Sequence, residues 1–286
     1  KIFIVPEIFR SFDHKTLAVS LKNKIPSLEH IFIVGGGEDN TSFEKNITDQ
    51  AWESKKELVE LLKSFRPSPD DVIEIMYTSG TTGTPKGVMH TSNTLLSKAE
   101  LARQLLMLEP NDSIFMGSPL AHQTGFMYAV VLSIFNGSKC VLQDIWDPAQ
   151  ALRVINAQGC TITMGSTPFL SDLVLESKEE EHAACSLRLF LCAGAPIPSV
   201  LVEQARKAYP SMYVMSAWGM TEMGIATATY PGDPDEKVIG TDGRALPLQE
   251  VRVVDSSGDI KPCGQEGRLQ ARCVTSFVGY LKRPAD

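Results

Sequence analysis

The chain has no Cys-x-x-Cys pair, no run of lysines or arginines longer than two, and no apolar run long enough to cross a bilayer. Each absence removes a class of function. Without paired spacing, Cys140, Cys160, Cys185, Cys192, Cys263 and Cys273 read as buried thiols in a reducing compartment, not as a zinc or disulfide framework. The formal net charge of −7 and the missing basic runs argue against nucleic acid or a membrane surface as the partner. The longest apolar stretch, Gly125 to Phe135, is far shorter than the roughly 18–20 residues of a spanning helix, and no signal peptide is visible, so a cytoplasmic location is expected. There is no H-E-x-x-H, no G-x-S-x-G and no G-x-G-x-x-G after a strand. The chain opens on Lys1 inside "KIFIV", without a methionine, and stops at "GYLKRPAD" with no closing helix, which leads us to expect a fragment.

What is present is globular: 286 residues, 43% hydrophobic and 21% charged. Short β-branched runs ("VIEIMYTS", "SKCVLQD", "CTITMG", "LRLFLCAG", "MYVMSA") alternate with longer stretches of helical spacing. That alternation predicts an α/β fold, a mainly parallel sheet flanked by helices. In "DPAQALRVINAQG", Asp147 can cap a helix, Pro148 suits its first position and Gly159 can end it. Thr91 or Ser92 and then Pro198 announce two more helices. After about Gly240 the pattern changes to short alternating runs separated by turns, predicting a smaller antiparallel β unit. The expected division is therefore residues 1–239 as an α/β core and 240–286 as a β-rich segment. No repeat is evident, and "SKEEEH", Ser177 to His182, reads as a solvated turn.

One segment stands apart. "YTSGTTGTPKGV", Tyr77 to Val88, packs five Ser or Thr hydroxyls, three glycines, a proline and a lysine into twelve residues, between an expected strand, 72–78, and an expected helix, 92–107. Glycines allow positive φ and close backbone approach, while hydroxyls and main-chain N–H groups suit phosphate oxygens. Lys86 adds a point charge and Pro85 stiffens the turn. The G-x-x-x-x-G-K-[ST] loop does not fit, since neither Gly80 nor Gly83 begins one. A plain Ser/Thr/Gly linker is the alternative.

In the order of its residues, this segment resembles the phosphate loop of the adenylate-forming superfamily, which includes acyl-CoA synthetases, aryl-CoA ligases, luciferases and peptide-synthetase adenylation domains. "SAWGMTEMG", Ser216 to Gly224, resembles a second motif of that family. By position the resemblance implies that Trp218 lies against adenine, Thr221 contacts the α-phosphate and Glu222 ligates Mg²⁺; Ser216, Ala217 and Gly219 border the nucleotide. A flat aromatic suits a purine, and Mg²⁺ commonly takes one or two carboxylates plus phosphate oxygens. Many relatives carry tyrosine in place of Trp218 and Gln-Gly before it. "LCAGAPIP" resembles the segment whose backbone, here Gly194, Ala195 and Pro196, borders adenine and the acyl pocket. "PLAHQTGF" and "GSTPFLSDL" resemble segments along the path of the acid, which implies His122, Thr167, Pro168 and Gly194 as substrate contacts. "IGTDGRALPLQEVRVVD" and "EGRLQARCVTSFVGYLKRPAD" resemble the β-rich segments that follow, while "VPEIFRSFDH" and "LEHIFIVGG" look closest to fatty-acyl and cyclohexanecarboxylate CoA ligases.

The resemblance implies a large N-terminal domain, incomplete here, with the mobile C-terminal domain and its lysine absent, so the chain alone is expected to be inactive. Its phosphate site would comprise Thr78, Ser79, Gly80, Thr81, Thr82, Gly83, Thr84 and Lys86, with Lys86, Thr221 and Glu222 catalytic. The implied reaction is ATP-dependent activation of a fatty or alicyclic carboxylic acid as acyl-AMP, for transfer to coenzyme A. Two alternatives stay open: an aryl or amino acid adenylation domain serving a carrier protein, and a non-catalytic nucleotide-binding module. Oligomeric state is left open.

Overall fold

The computed structural model describes residues 1–78, 84–177 and 186–284. These form two compact units, Lys1–Pro67 and Ser68–Asp286. In the first, β1 (Ile2–Pro6) leads through β2 (Ile8–Phe9), β3 (Phe12–Asp13) and α1 (His14–Lys24) to β4 (His30–Val34), which pairs in parallel with β1. Val5, Ala18, Ile31 and Ile33 close its small core. Asp13 caps α1 by accepting the Thr16 N–H at 2.8 Å. Later in this unit comes α2 (Lys56–Ser64).

The second unit begins with β5 (Val72–Thr78), β6 (Lys86–Thr91) and α3 (Ser92–Leu105). The expected turn from strand to helix is therefore corrected: the glycine-rich segment joins two antiparallel strands, and the helix starts only after the second. The six residues Lys86–Thr91 form a strand by pairing with β5 along their length, and Val88 and Met89 pair on the other side with β16 (below). Thr91 caps α3 in a capping box with Thr94.

Next come β7 (Ser113–Met116), then a helical stretch of α4 (Gln123–Gly125), the π-helical turn Phe126–Val131 and α5 (Leu132–Asn136). The chain continues through β8 (Lys139–Leu142), α6 (Pro148–Gln158), β9 (Ile162–Gly165), α7 (Thr167–Glu176), β10 (Leu189–Ala193) and α8 (Ser199–Ala208). It then forms β11 (Tyr213–Met220), β12 (Gly224–Ala228), α9 (Asp235–Gly240), β13 (Arg244–Ala245), β14 (Gln249–Val254), β15 (Arg268–Cys273) and β16 (Gly279–Tyr280). Asp147, Pro148 and Gly159 bound α6 as their chemistry predicts: the Asp147 carboxylate accepts the Gln150 N–H at 2.8 Å, and Gly159 is left-handed at φ 62°.

Seven strands form the main sheet in the order β13-β12-β11-β10-β9-β7-β8. From β11 to β8 the pairing is parallel, while β12 and β13 are antiparallel. Strands β7, β9 and most of β10 are buried on both faces, so they read as continuous apolar runs. Ile114, Met116, Leu189 and Leu191 face α3 and the Gln123–Asn136 stretch; Phe115, Phe190 and Cys192 face α6, α7 and α8. Two small antiparallel sheets accompany it, β16-β6-β5 and β14-β15. The hairpin chemistry read after Gly240 is visible in the β14–β15 pair.

Two readings of single residues change. Cys160 and Cys192 are buried thiols, but Cys140 and Cys263 are exposed, and Cys185 lies outside the described residues. Cys140 sits in an apolar run, yet β8 is the last strand of its sheet. The charged turn read at Ser177 to His182 falls largely outside the described residues. Among the described residues no helix is long and apolar enough to cross a membrane.

Candidate active site

The carboxyl ends of parallel strands in an open α/β sheet are where ligands commonly bind, because the loops diverge there and leave a crevice. Here a cleft of about 900 Å³ opens at that edge. One wall comes from the ends of the parallel strands: Ser118 and Pro119 after β7, Met164 to Ser166 at β9, Ala193 and Gly194 at β10, Gly219 and Met220 at β11. The other wall is the small sheet, with Met76, Tyr77 and Thr78 of β5, Lys86 of β6 and Tyr280 of β16.

The turn from β11 to β12 carries Thr221 and Glu222 into this cleft. Glu222 is 9% exposed, and its Oε1 accepts the Tyr280 hydroxyl at 2.6 Å. Lys86 Nζ lies 4.7 Å from the centroid of the same tyrosine ring. One aromatic side chain thus stands between the cation and the carboxylate, fixing the carboxylate by hydrogen bond and the cation by its π face. Gly224 turns the chain at φ 72°; a Cβ there would lie 2.8 Å from the Tyr128 hydroxyl and 3.1 Å from Lys98 Cδ.

Beneath the turn are three buried ionisable groups. Burial pulls Lys98 down to about 7, against the pull of Glu74 and Glu222. Burial and the Lys98 charge hold His90 neutral, at about 4. Burial raises Glu74, opposed by a hydrogen bond from Gln123 Nε2 at 3.2 Å and by Lys98.

Of the residues singled out from the sequence, Thr78, Lys86, His122, Gly194, Gly219, Thr221 and Glu222 line the cleft. His122 is exposed, caps α4, and accepts the Thr124 N–H on Nδ1 at 3.1 Å. Gly194 is left-handed at φ 89°, a conformation that favours glycine. Thr84 is exposed before β6. Thr167 ties α7 to the loop after β10, donating to the Pro196 carbonyl at 3.1 Å and reaching that of Ala195 at 3.4 Å; Thr167, Pro168, Ala195 and Pro196 are not part of the lining. Ser216 and Ala217 are buried within β11, and half-buried Trp218 precedes a bulge without lining the cleft. Ser79, Gly80, Thr81, Thr82 and Gly83 lie outside the described residues.

Sequence reading missed Tyr280, Tyr77, Gln123 and Phe169 as lining, and Lys98 behind it. Tyr280 arrives through the pairing of β16 with β6 and carries no local signal. Lys98 did carry one: it lies three residues after Leu95 and four before Ala102, on the buried stripe of α3. The apolar run Gly125–Phe135 forms core more than pocket; Tyr128 alone of its described residues lines the cleft, while Met127, Ala129 and Leu132 pack inside.

The cleft can hold an anionic ligand with a metal. Lys86 supplies a cation, Thr78 and Thr221 hydroxyls, and Glu222 a carboxylate. Among the described residues no group of three or more His, Cys, Asp or Glu could hold a metal ion.

A doubly covered α/β sheet with a cleft at its carboxyl edge defines a ligand-binding domain of the open-sheet class. The chain belongs to the AMP-binding enzyme family, whose pattern matches residues 1–281. It is 30% identical over 287 residues to the medium-chain fatty-acid–CoA ligase of Escherichia coli (strain K12), covering 99% of this chain and 49% of that protein. It is 33% identical over 217 residues to the 2-succinylbenzoate–CoA ligase of Bacillus licheniformis, covering 76% of this chain and 44% of the relative. Among solved structures, the anthranilate CoA ligase AuaEII in complex with anthranoyl-AMP matches with a TM-score of 0.82 and 25% identity, over 98% of this chain and 52% of that one. The chain spans about half the length of the relatives it matches.

Proposed function

We propose that this chain forms the nucleotide- and acid-binding core of an AMP-forming acyl-CoA ligase acting on a fatty or alicyclic acid. In the first step a carboxylate oxygen of the acid bonds to the α-phosphorus of ATP, and the bond to the β-phosphate breaks, releasing pyrophosphate. In the second, the thiolate of coenzyme A attacks the acyl carbon and AMP leaves. The observation that carries the reading is the convergence of Lys86, Thr221 and Glu222 in one cleft at the carboxyl edge of the sheet.

In this reading Thr78, Ser79 to Thr84 and Lys86 hold the β and γ phosphates, and Thr221 holds the α-phosphate. Glu222 would hold Mg²⁺, which supplies charge neutralisation to the phosphates when bound. The Tyr280 hydroxyl orients that carboxylate. Gly194, Ala195 and Pro196 with Ser216 to Gly219 border the purine, Trp218 offering its face. The acid passes His122 toward Thr167 and Pro168. Met164, Phe169, Ala193 and Ile225 make that part of the cleft apolar, and Glu222 is the one carboxylate among its described lining residues. A substrate ammonium would meet no carboxylate at the apolar end, which disfavours a free amino acid.

An aromatic acid is the second reading, favoured by Phe169, whose ring packs edge-on to Trp146 at 4.6 Å between centroids and could do the same for a substrate ring. Acid-dependent ATP–pyrophosphate exchange by the intact protein across fatty, alicyclic, aryl and amino acids separates the readings. Best exchange with a fatty or alicyclic acid supports the first, and best exchange with an aryl acid the second. Exchange with none would leave a non-catalytic nucleotide-binding module.

A further inference from the structure

All three carbonyls of the turn that carries the candidate catalytic groups are held in place. Phe277 N–H donates to the Glu222 carbonyl at 2.7 Å, and the buried Thr275 hydroxyl donates to that of Met223 at 2.6 Å. The Thr221 carbonyl accepts from the Lys98 ammonium, 3.1 Å away and reaching up from α3. Lys98 is only 2% exposed. Burying an ammonium is unfavourable unless partners compensate it, and an apolar side chain of the same length would fill the space without that cost.

The partners are specific. Lys98 Nζ lies 2.8 Å from His90 Nε2, which itself lies 2.9 Å from the Thr221 carbonyl oxygen. The ammonium can donate to both acceptors only if His90 carries its proton on Nδ1. Nδ1 then donates to Thr94 Oγ1 at 3.1 Å; that hydroxyl donates to the Thr91 carbonyl at 3.1 Å and accepts the Thr91 N–H at 3.0 Å. In that tautomer the capping box of α3, His90 and Lys98 form one hydrogen-bonded chain that ends at the Thr221 carbonyl. Gly224 lays its backbone across the lysine stem.

We propose that Lys98, seated by His90, is a positioning residue that fixes the Thr221 carbonyl and so holds the Thr221 hydroxyl and Glu222 carboxylate at the cleft wall. The inference rests on the ligase reading above for its catalytic consequence, but not for the geometry itself. In the intact protein, Lys98→Met keeps the stem and removes the donor. Its kcat for pyrophosphate exchange is expected to fall on the order of tenfold to a hundredfold, with KM for the acid within about twofold, because small misplacements cost rate more than binding. His90→Gln keeps an acceptor near the Nε2 position and is expected to stay within about threefold of wild type, whereas His90→Leu falls as Lys98→Met does.

Wild-type kcat in a folded Lys98→Met variant overturns the proposal. If that variant does not fold, equal rates for His90→Gln and His90→Leu overturn it, and a faster Gln variant supports it. Should the wild-type protein exchange pyrophosphate with no acid, the functional reading fails, and the strut is read from amide hydrogen exchange across residues 220–224. Exchange there at least about tenfold faster in Lys98→Met, or in His90→Leu relative to His90→Gln, supports the strut, and unchanged protection overturns it.

Discussion

The two edges of the seven-stranded sheet each bury charge, and they do so in different ways. At the amino edge, Asp112, Thr161 and Arg188 each immediately precede a strand, β7, β9 and β10 respectively. Arg188 grips Asp112 through Nη2 at 2.7 Å and Nε at 3.1 Å, and Thr161 donates to the same carboxylate at 2.6 Å. Arg188 also donates to the carbonyls of Leu106 and Met107, at 3.1 and 2.9 Å. Both carboxylate oxygens are engaged by protein, so the cluster ties three strands together. At the carboxyl edge, Lys86 and Glu222 line open volume, and Gln123 Oε1 and Glu74 Oε1 have no protein partner. Satisfied charge at one edge serves stability; charge facing a cleft at the other serves a ligand.

Substitutions at the two edges should therefore separate activity from stability. The largest effect is expected at Glu222→Gln, which keeps size and removes charge: pyrophosphate exchange should fall on the order of 10²–10³-fold with little change in Tm. Asp112→Asn should do the reverse, losing about 2–3 kcal/mol of stability in chemical denaturation while activity per folded molecule stays near wild type. Its pH dependence has a sign. Burial alone would raise the Asp112 carboxyl, but Arg188, the Glu109 N–H and Thr161 together hold it below its usual range. That stabilisation is present above the unfolded carboxyl's value of about 3.9 and is lost as pH falls through the lower folded value. The gap between wild type and Asp112→Asn should thus be full at neutral pH and shrink below about pH 4.

The smallest effect is expected at the apolar end of the cleft. A Cβ on Gly165 would sit 3.0 Å from that of Phe169, so Gly165→Ala should push the ring into the cleft. Preference should move toward acids shorter by about one methylene, a change of about 0.8 kcal/mol or fourfold in kcat/KM, with KM for ATP unchanged. An equal effect on ATP would show that the two ends of the cleft are not separate.

The amino edge was silent in the sequence, because Asp112, Thr161 and Arg188 are distant in the chain and meet only through strand order. At the carboxyl edge the residues in short contiguous motifs were legible: Lys86 beside glycines and hydroxyls, Thr221 and Glu222 in one turn. Helix caps such as Asp147 and Thr91 were legible for the same reason, since a cap acts within three residues. Strand β6 was not, because Lys86 to Thr91 read as the end of a turn into α3, and its pairing with β5, and at Val88 and Met89 with β16, shows only in the structure. The bulge between Trp218 and Gly219 was not legible either, since it shows only in the pairing of β11 with β12; Gly219 and Met220 beyond it line the cleft.

The central claim is that this cleft joins an acid to AMP, and the most direct test is to look for the product. The intact protein, incubated with Mg-ATP and a fatty or alicyclic acid in the absence of coenzyme A, should yield enzyme-bound acyl-AMP by mass spectrometry with one pyrophosphate released per acyl-AMP formed. Pyrophosphate release without acyl-AMP, or ATP bound and unaltered with every acid supplied, would contradict the account.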